Sequence, residues 1–224
     1  MDKKEKNQFI AALFLPSMLV LAMFVVFLIE IIFNVSFSSY GIYPRRFSGI
    51  IGIFLAPFLH GDFSHLLNNS IPILILGSAL FYFYKEIALK VFLWVFIMGG
   101  IWTWISAREA THIGASGVVY GLFSFLLISG FIRRSMQLIS ISFFVVFVYG
   151  SMVWGIFPIK VEISYESHFW GFVAGAILSV YYRKQGPQKK EYHWEEDDEN
   201  DEPPTPTENP PSQEITYHYI YKEK

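Results

Sequence analysis

Gly114-Ala115-Ser116-Gly117 opens the fourth of six apolar stretches in the first 182 residues, and a single histidine, His168, opens the sixth. Alone, Gly114–Gly117 with Gly121 is a small-residue pattern for close helix packing, and most serines in membrane helices only bond a nearby backbone carbonyl. The neighbouring residues add a second reading. Gly117 and Gly121 are four apart, as are Ser116 and Tyr120, so two adjacent stripes run along one helix surface. In the sixth stretch His168, Gly171 and Gly175 stand at i, i+3 and i+7, again on one face. Packing the two glycine faces together brings the backbones close and sets Ser116 opposite His168. A serine hydroxyl is weak at neutral pH and needs a neighbouring base. An imidazole, with an unperturbed pKa of about 6.5, can take that proton and return it.

The chain has 224 residues, 53% hydrophobic and only 16% charged, with a mean hydropathy of +0.39. A soluble domain carries about 25% charged residues, so the composition is that of an integral membrane protein, and its long apolar runs are those of an all-α one. The first run, Ile10 to Phe33, exceeds a signal-peptide core of about 7–15 residues and reaches the roughly 20 residues that cross a bilayer. It reads as a retained first helix, with Glu30 near one end where water reaches it. Later runs centre on Leu66–Tyr84, Ala88–Ile105, Ser116–Ile132, Leu138–Trp154 and His168–Tyr182. The fourth is short and Gly-rich, which predicts a helix packed against protein rather than lipid. Lys and Arg near the helix ends divide eleven against four: Lys3, Lys4, Lys6, Lys85, Lys90, Arg133, Arg134, Arg183, Lys184, Lys189 and Lys190 face Arg45, Arg46, Arg108 and Lys160. The positive-inside rule then puts both termini in the cytoplasm of a cell-membrane protein, which needs an even number of crossings. Six fits.

Residues 34–64 form a large loop between the first and second helices. Its apolar segment Ile50–Phe58 is too short to span and is expected to lie half-embedded in the interface. After residue 182 the composition changes. Of the 19 acidic residues, 11 lie in 183–224; residues 195–202 hold seven acids in eight, and 203–211 hold five prolines. Such a segment cannot bury enough apolar surface to offset chain entropy, so 183–224 is expected to be a disordered cytoplasmic tail, open to a cytoplasmic partner. Ile215–Tyr221 alternates like a strand. It is either a sticky end of that tail or a docking segment for a sheet edge.

Other chemistries find little support in the same residues. There are no cysteines, hence no thiol nucleophile or Cys-based metal site. No H-E-x-x-H pair exists for a metalloprotease, and His60 and His65, five apart, make a poor helical chelate. An aspartyl dyad needs two core aspartates, and Asp62 is the one such residue between Asp2 and Asp197. No phosphate loop or basic nucleic-acid surface is present, and no metal or cofactor is implied. Glu86, Glu109, Glu162 and Arg108 fall at helix ends, where solvated charge is the ordinary state. Asp62 is badly placed to orient His168, and Glu166 projects elsewhere on a helix, so the pair reads as a dyad. His65 and Asn69, at i and i+4, point from one face near the start of the second helix. Interhelical hydrogen bonding is one use for them, since polar groups in membrane helices face the bundle interior.

The run His60-Gly61-Asp62-Phe63-Ser64-His65-Leu66-Leu67-Asn68-Asn69, with Gly114-Ala115-Ser116-Gly117 and His168-Phe169-Trp170-Gly171, resembles the rhomboid family of intramembrane serine proteases over roughly residues 40 to 182. The resemblance implies a six-transmembrane-helix rhomboid-like bundle over residues 1–182 with a Ser116–His168 dyad. It also implies His65 and Asn69 as oxyanion donors beside the backbone N–H of Ser116, and Tyr120 beneath the histidine ring. His60 takes a structural role bonding to loop backbone, and Gly114, Gly117 and Gly171 support the site. The expected substrates are single-pass membrane proteins, cleaved within or near their transmembrane helix. Members of the family often carry a Trp-Arg pair shortly before the first histidine; here those positions are Ile51, Gly52 and Ile53, with Arg45 and Arg46 further back. The non-enzymatic alternative is a catalytically inactive rhomboid-like factor that binds membrane proteins.

Overall fold

Each of the six apolar runs folds as a helix in the computed structural model, which describes residues 2–159 and 163–188. They are α1 (Lys3–Phe33), α3 (Phe63–Phe83), α4 (Ala88–Ser106), α5 (Ser116–Arg133), α6 (Met136–Tyr149) and α7 (Tyr165–Tyr181). A single turn, α2 (Gly52–Leu55), lies in the large loop, and a 3-10 segment, Gly150–Ile156, continues α6. The tail from residue 189 onward, with its acid run and the Ile215–Tyr221 segment, lies outside the described residues. Among the described residues five helices are long and apolar enough to cross a membrane, counting α6 with its continuation; α7, at 17 residues, is shorter than those five.

The depth of each helix in the bundle follows from its small residues. In α5, 67% of the apolar window is buried by protein, against 22% in α1 and 11% in α6. The Gly-rich fourth run is thus the central helix, packed most extensively on α7. Along that seam Gly171 faces the Gly117 carbonyl, and Gly175 faces the Gly121 carbonyl and the Ser124 hydroxyl; a Cβ on either would overlap backbone. Ser124 Oγ also donates to the Phe172 carbonyl at 2.7 Å, tying the two helices together. Around the seam, Leu66, Ile73, Leu76, Val95, Leu122 and Phe125 form the core.

Local signals set the helix starts. Asp62 caps α3, its carboxylate accepting from the His65 N–H at 2.8 Å, which fixes the turn from which His65 and Asn69 project. At the other end of α1, the Glu30 carboxylate accepts from the Phe37 N–H at 2.6 Å and so orders the exit into the loop. Within the loop, Phe47, Ile51 and Phe54 are exposed while Ile53 and Ala56 are buried, the two-sided character expected of an interfacial segment. Arg45 and Arg46 tie the loop to the end of α4. Arg45 Nη1 donates to the Ala107 carbonyl at 2.7 Å, and its N–H to Trp104 O at 2.9 Å. Trp104 Nε1 donates to Arg46 O at 2.9 Å. Ile42 and His112 exchange backbone bonds as an isolated antiparallel bridge.

Arg133, at the end of α5, is only 5% exposed. It donates to Ser129 Oγ, Tyr182 O and Pro187 O at 2.7–2.8 Å. Residues 183–188, which composition alone groups with the tail, therefore still run against the helix ends.

Candidate active site

Ser116 is the first residue of α5, and His168 lies in the first turn of α7. The glycine seam brings them together, with His168 Nε2 at 2.8 Å from Ser116 Oγ. The other ring nitrogen, Nδ1, is 2.9 Å from the Gly155 carbonyl. A carbonyl can only accept, so Nδ1 carries the proton and Nε2 presents its lone pair to the serine hydroxyl. Tyr120, one turn into α5, stacks on the imidazole with centroids 4.2 Å apart and planes within 9°. Its hydroxyl donates to Met152 O at 2.8 Å. The ring is therefore fixed by a stacked face and a backbone acceptor, both involving the 3-10 segment after α6.

His65 and Asn69 lie beside the approach to Ser116. Gly114 has φ +99°, and a Cβ there would fall 2.6 Å from His65 Nε2 and 3.4 Å from Asn69 Nδ2. Glycine is thus required twice, for its left-handed backbone and for lack of space. Asn69 spends one amide hydrogen on His65 O at 3.0 Å, leaving the second free to donate. As the first residue of α5, Ser116 has a backbone N–H with no intrahelical acceptor, at the end of the helix where the dipole favours negative charge. These groups share a cavity of about 1050 Å³ with Ser116 and His168, continuing to Tyr149 and Met152. Asn68, which the motif leaves without a place, also lines it.

His60 is buried, with Nδ1 3.3 Å from Phe58 O and its ring edge-to-face with His65, centroids 5.0 Å apart. Burial first, and the His65 charge second, push its pKa down to about 4. No three His, Asp or Glu side chains among the described residues converge as a metal site.

Three features escape the sequence reading. Gly155 acts through its carbonyl. His112 is buried in the segment before Ser116 and bonds the Ser164 hydroxyl. Arg108, expected to be a solvated charge at a helix end, instead meets the Glu166 carboxylate at 2.7 Å, with the two side chains 30% and 12% exposed. The pairing partner is 58 residues away, and helical spacing carries no information about it.

Comparison with known proteins matches residues 48–185 to the Rhomboid domain family. An uncharacterized protein of Mycobacterium tuberculosis is 35% identical over 182 residues, covering 73% of this chain and 72% of that protein. An uncharacterized protein of Mycobacterium leprae is 31% identical over 182 residues, covering 75% and 69%.

Proposed function

The chain belongs to the rhomboid family, and from that premise we propose that it is an intramembrane serine endopeptidase using Ser116 and His168 as a catalytic dyad. The observation that supports this reading most is the chain of contacts Ser116 Oγ, His168 Nε2, His168 Nδ1, Gly155 O at 2.8 and 2.9 Å. It leaves a basic nitrogen aimed at a hydroxyl inside a cavity with unspent donors. In the reading proposed, Ser116 Oγ attacks a peptide carbonyl carbon while its proton passes to Nε2. The displaced π pair gathers on the carbonyl oxygen, facing the Ser116 N–H, His65 and Asn69. Collapse breaks the C–N bond, and Nε2 returns the proton to the leaving amine. Water, deprotonated by the same nitrogen, then hydrolyses the Ser116 ester to a free carboxylate.

The substrates proposed are single-pass membrane proteins. An intact helix keeps its carbonyls in hydrogen bonds, so the cleaved segment must unwind locally to reach the cavity. The protein is a multi-pass membrane protein, and the charge distribution supports both termini being cytoplasmic.

A fluorophosphonate probe tests the reading without knowledge of the substrate. Ser116 Oγ bonds to phosphorus, fluoride leaves, and the hydroxyl proton goes to His168. One adduct per chain at Ser116 and none in Ser116→Ala is the expected result. A folded wild-type protein that forms no adduct would return the chain to the inactive, membrane-protein-binding class.

A further inference from the structure

We propose that Arg108 and Glu166 are positioning residues, a latch by which the segment leading to Ser116 holds the helical turn that carries His168; this rests on the proteolytic reading above. Residues 107–115 end on the serine, and residues 163–167 lead to the histidine. The first segment grips four successive positions of the second. Arg108 donates from its backbone N–H and from Nη1 to the Glu166 carboxylate at 3.3 and 2.7 Å. Its Nη2 donates to Ile163 O at 2.9 Å, and its guanidinium lies 4.9 Å over the Tyr165 ring. His112 bonds the Ser164 hydroxyl, while its other ring nitrogen is 3.2 Å from Arg108 O.

Ser164 occupies the N-cap of α7, yet its side chain makes no cap bond to its own helix. Its hydroxyl goes to His112 instead. The start of α7 is therefore held by the segment before Ser116 rather than by a local capping bond. The Arg108–Glu166 pair is also partly shielded, chiefly on the Glu166 side, which sets it apart from fully exposed ion pairs of little net worth. The latch has a rigid backing: Ala107, His112 and Gly114 are bonded to Arg45, Ile42 and Ala56 of the large loop.

Glu166 and His168 sit two residues apart in one turn of α7. A slide or rotation of that turn moves Nε2 relative to Ser116 Oγ directly. Misplacement by about 1 Å is enough to cost on the order of a hundredfold in rate. The Glu166 carboxylate bonds Arg108 rather than His168, so it positions the base through the backbone of the turn, beside a direct electrostatic influence of its charge on the imidazole.

The experiment compares wild type, Arg108→Gln, Glu166→Gln and the double variant, each purified in the same lipid. Two quantities are read from fluorophosphonate labelling: the rate constant, and the fraction of chains labelled at completion. Cleavage of a model membrane substrate supplies kcat and KM. Each single variant is expected to label about tenfold more slowly with the final fraction unchanged, to lose kcat at constant KM, and to gain no further defect in the double variant. Labelling at the wild-type rate, or a reduced final fraction at the wild-type rate, overturns the latch, since the second outcome marks a purely structural pair. Should Arg108→Gln not fold, Glu166→Gln alone decides. Absence of labelling in wild type overturns the proteolytic reading and the latch with it, whereas a labelled wild type with unaffected variants overturns the latch alone.

Discussion

The Gly155 carbonyl oxygen lies 2.9 Å from His168 Nδ1, the position that a carboxylate occupies in Ser-His-Asp enzymes. A neutral acceptor fixes the tautomer and the ring plane without bringing a second charge into the bundle, where an ion is costly. In the proteolytic reading proposed, the imidazolium formed during attack would be steadied by this carbonyl dipole and the stacked Tyr120 ring.

Gly155→Ala tests that arrangement. A Cβ at this position would overlap the Tyr120 hydroxyl and lie 3.3 Å from His168 Nδ1, so the ring must shift. Cleavage is expected to fall by at least about tenfold, with a melting temperature in detergent close to wild type. Wild-type turnover would show that the carbonyl does not hold the ring.

In the reading proposed, His65 and Asn69 donate to the oxyanion. Asn69→Ala and His65→Ala should each lower kcat by about 10- to 1000-fold, the range for removal of one such donor, while binding of a substrate helix changes far less. Unchanged kcat with weakened binding in both would mean that these side chains grip the substrate.

Gly117→Leu and Gly171→Leu should destabilise or misassemble the bundle. Any Cβ on Gly171 meets the Gly117 carbonyl, and one on Gly117 would lie 2.6 Å from Ser167 Oγ. Thermal melting in detergent is the measurement, with Phe147→Leu, at a side chain 91% exposed, as control. Near-native melting of both glycine variants would remove the seam as the device that sets Ser116 against His168.

Burial holds His60 near pKa 4 in the folded protein, against 6.5 as the ordinary value. The unfolded chain therefore takes up a proton that the folded chain refuses between about pH 6.5 and 4, so stability is full above that window and declines through it as pH falls. His112, also lowered chiefly by burial, acts in the same direction. The drop in melting temperature from pH 7 to pH 4.5 should thus be smaller in His60→Gln than in wild type, though not abolished. An equal drop in both would locate the acid sensitivity elsewhere.

How far the sequence reveals this site depends on how each contact is encoded. Ser116, Tyr120, Gly121, Gly171 and Gly175 are legible because helical periodicity places them on facing stripes, and the apolar runs mark where the helices fall. Asp62 is legible only as an ill-placed carboxylate, because its role is to cap α3, a local bond. Gly155 has no side chain to announce an acceptor, so nothing in its letter points to His168. Arg108 and Glu166 have ordinary helix-end identities; their pairing depends on a turn in space that brings residues 58 apart together. Arg45, with φ +59°, bonds the Ala107 carbonyl because the loop's path, not its spacing, brings it there.

The central claim, that Ser116 and His168 cut peptide bonds as one unit, is met most directly by cleavage of a single-pass membrane substrate in vesicles holding the purified full-length protein. Wild type should release two fragments. Ser116→Ala and His168→Ala should each abolish release while remaining folded, and the double variant should be no worse than either single, because each group is useless without the other. Turnover above a few per cent of wild type in either single variant would contradict the dyad.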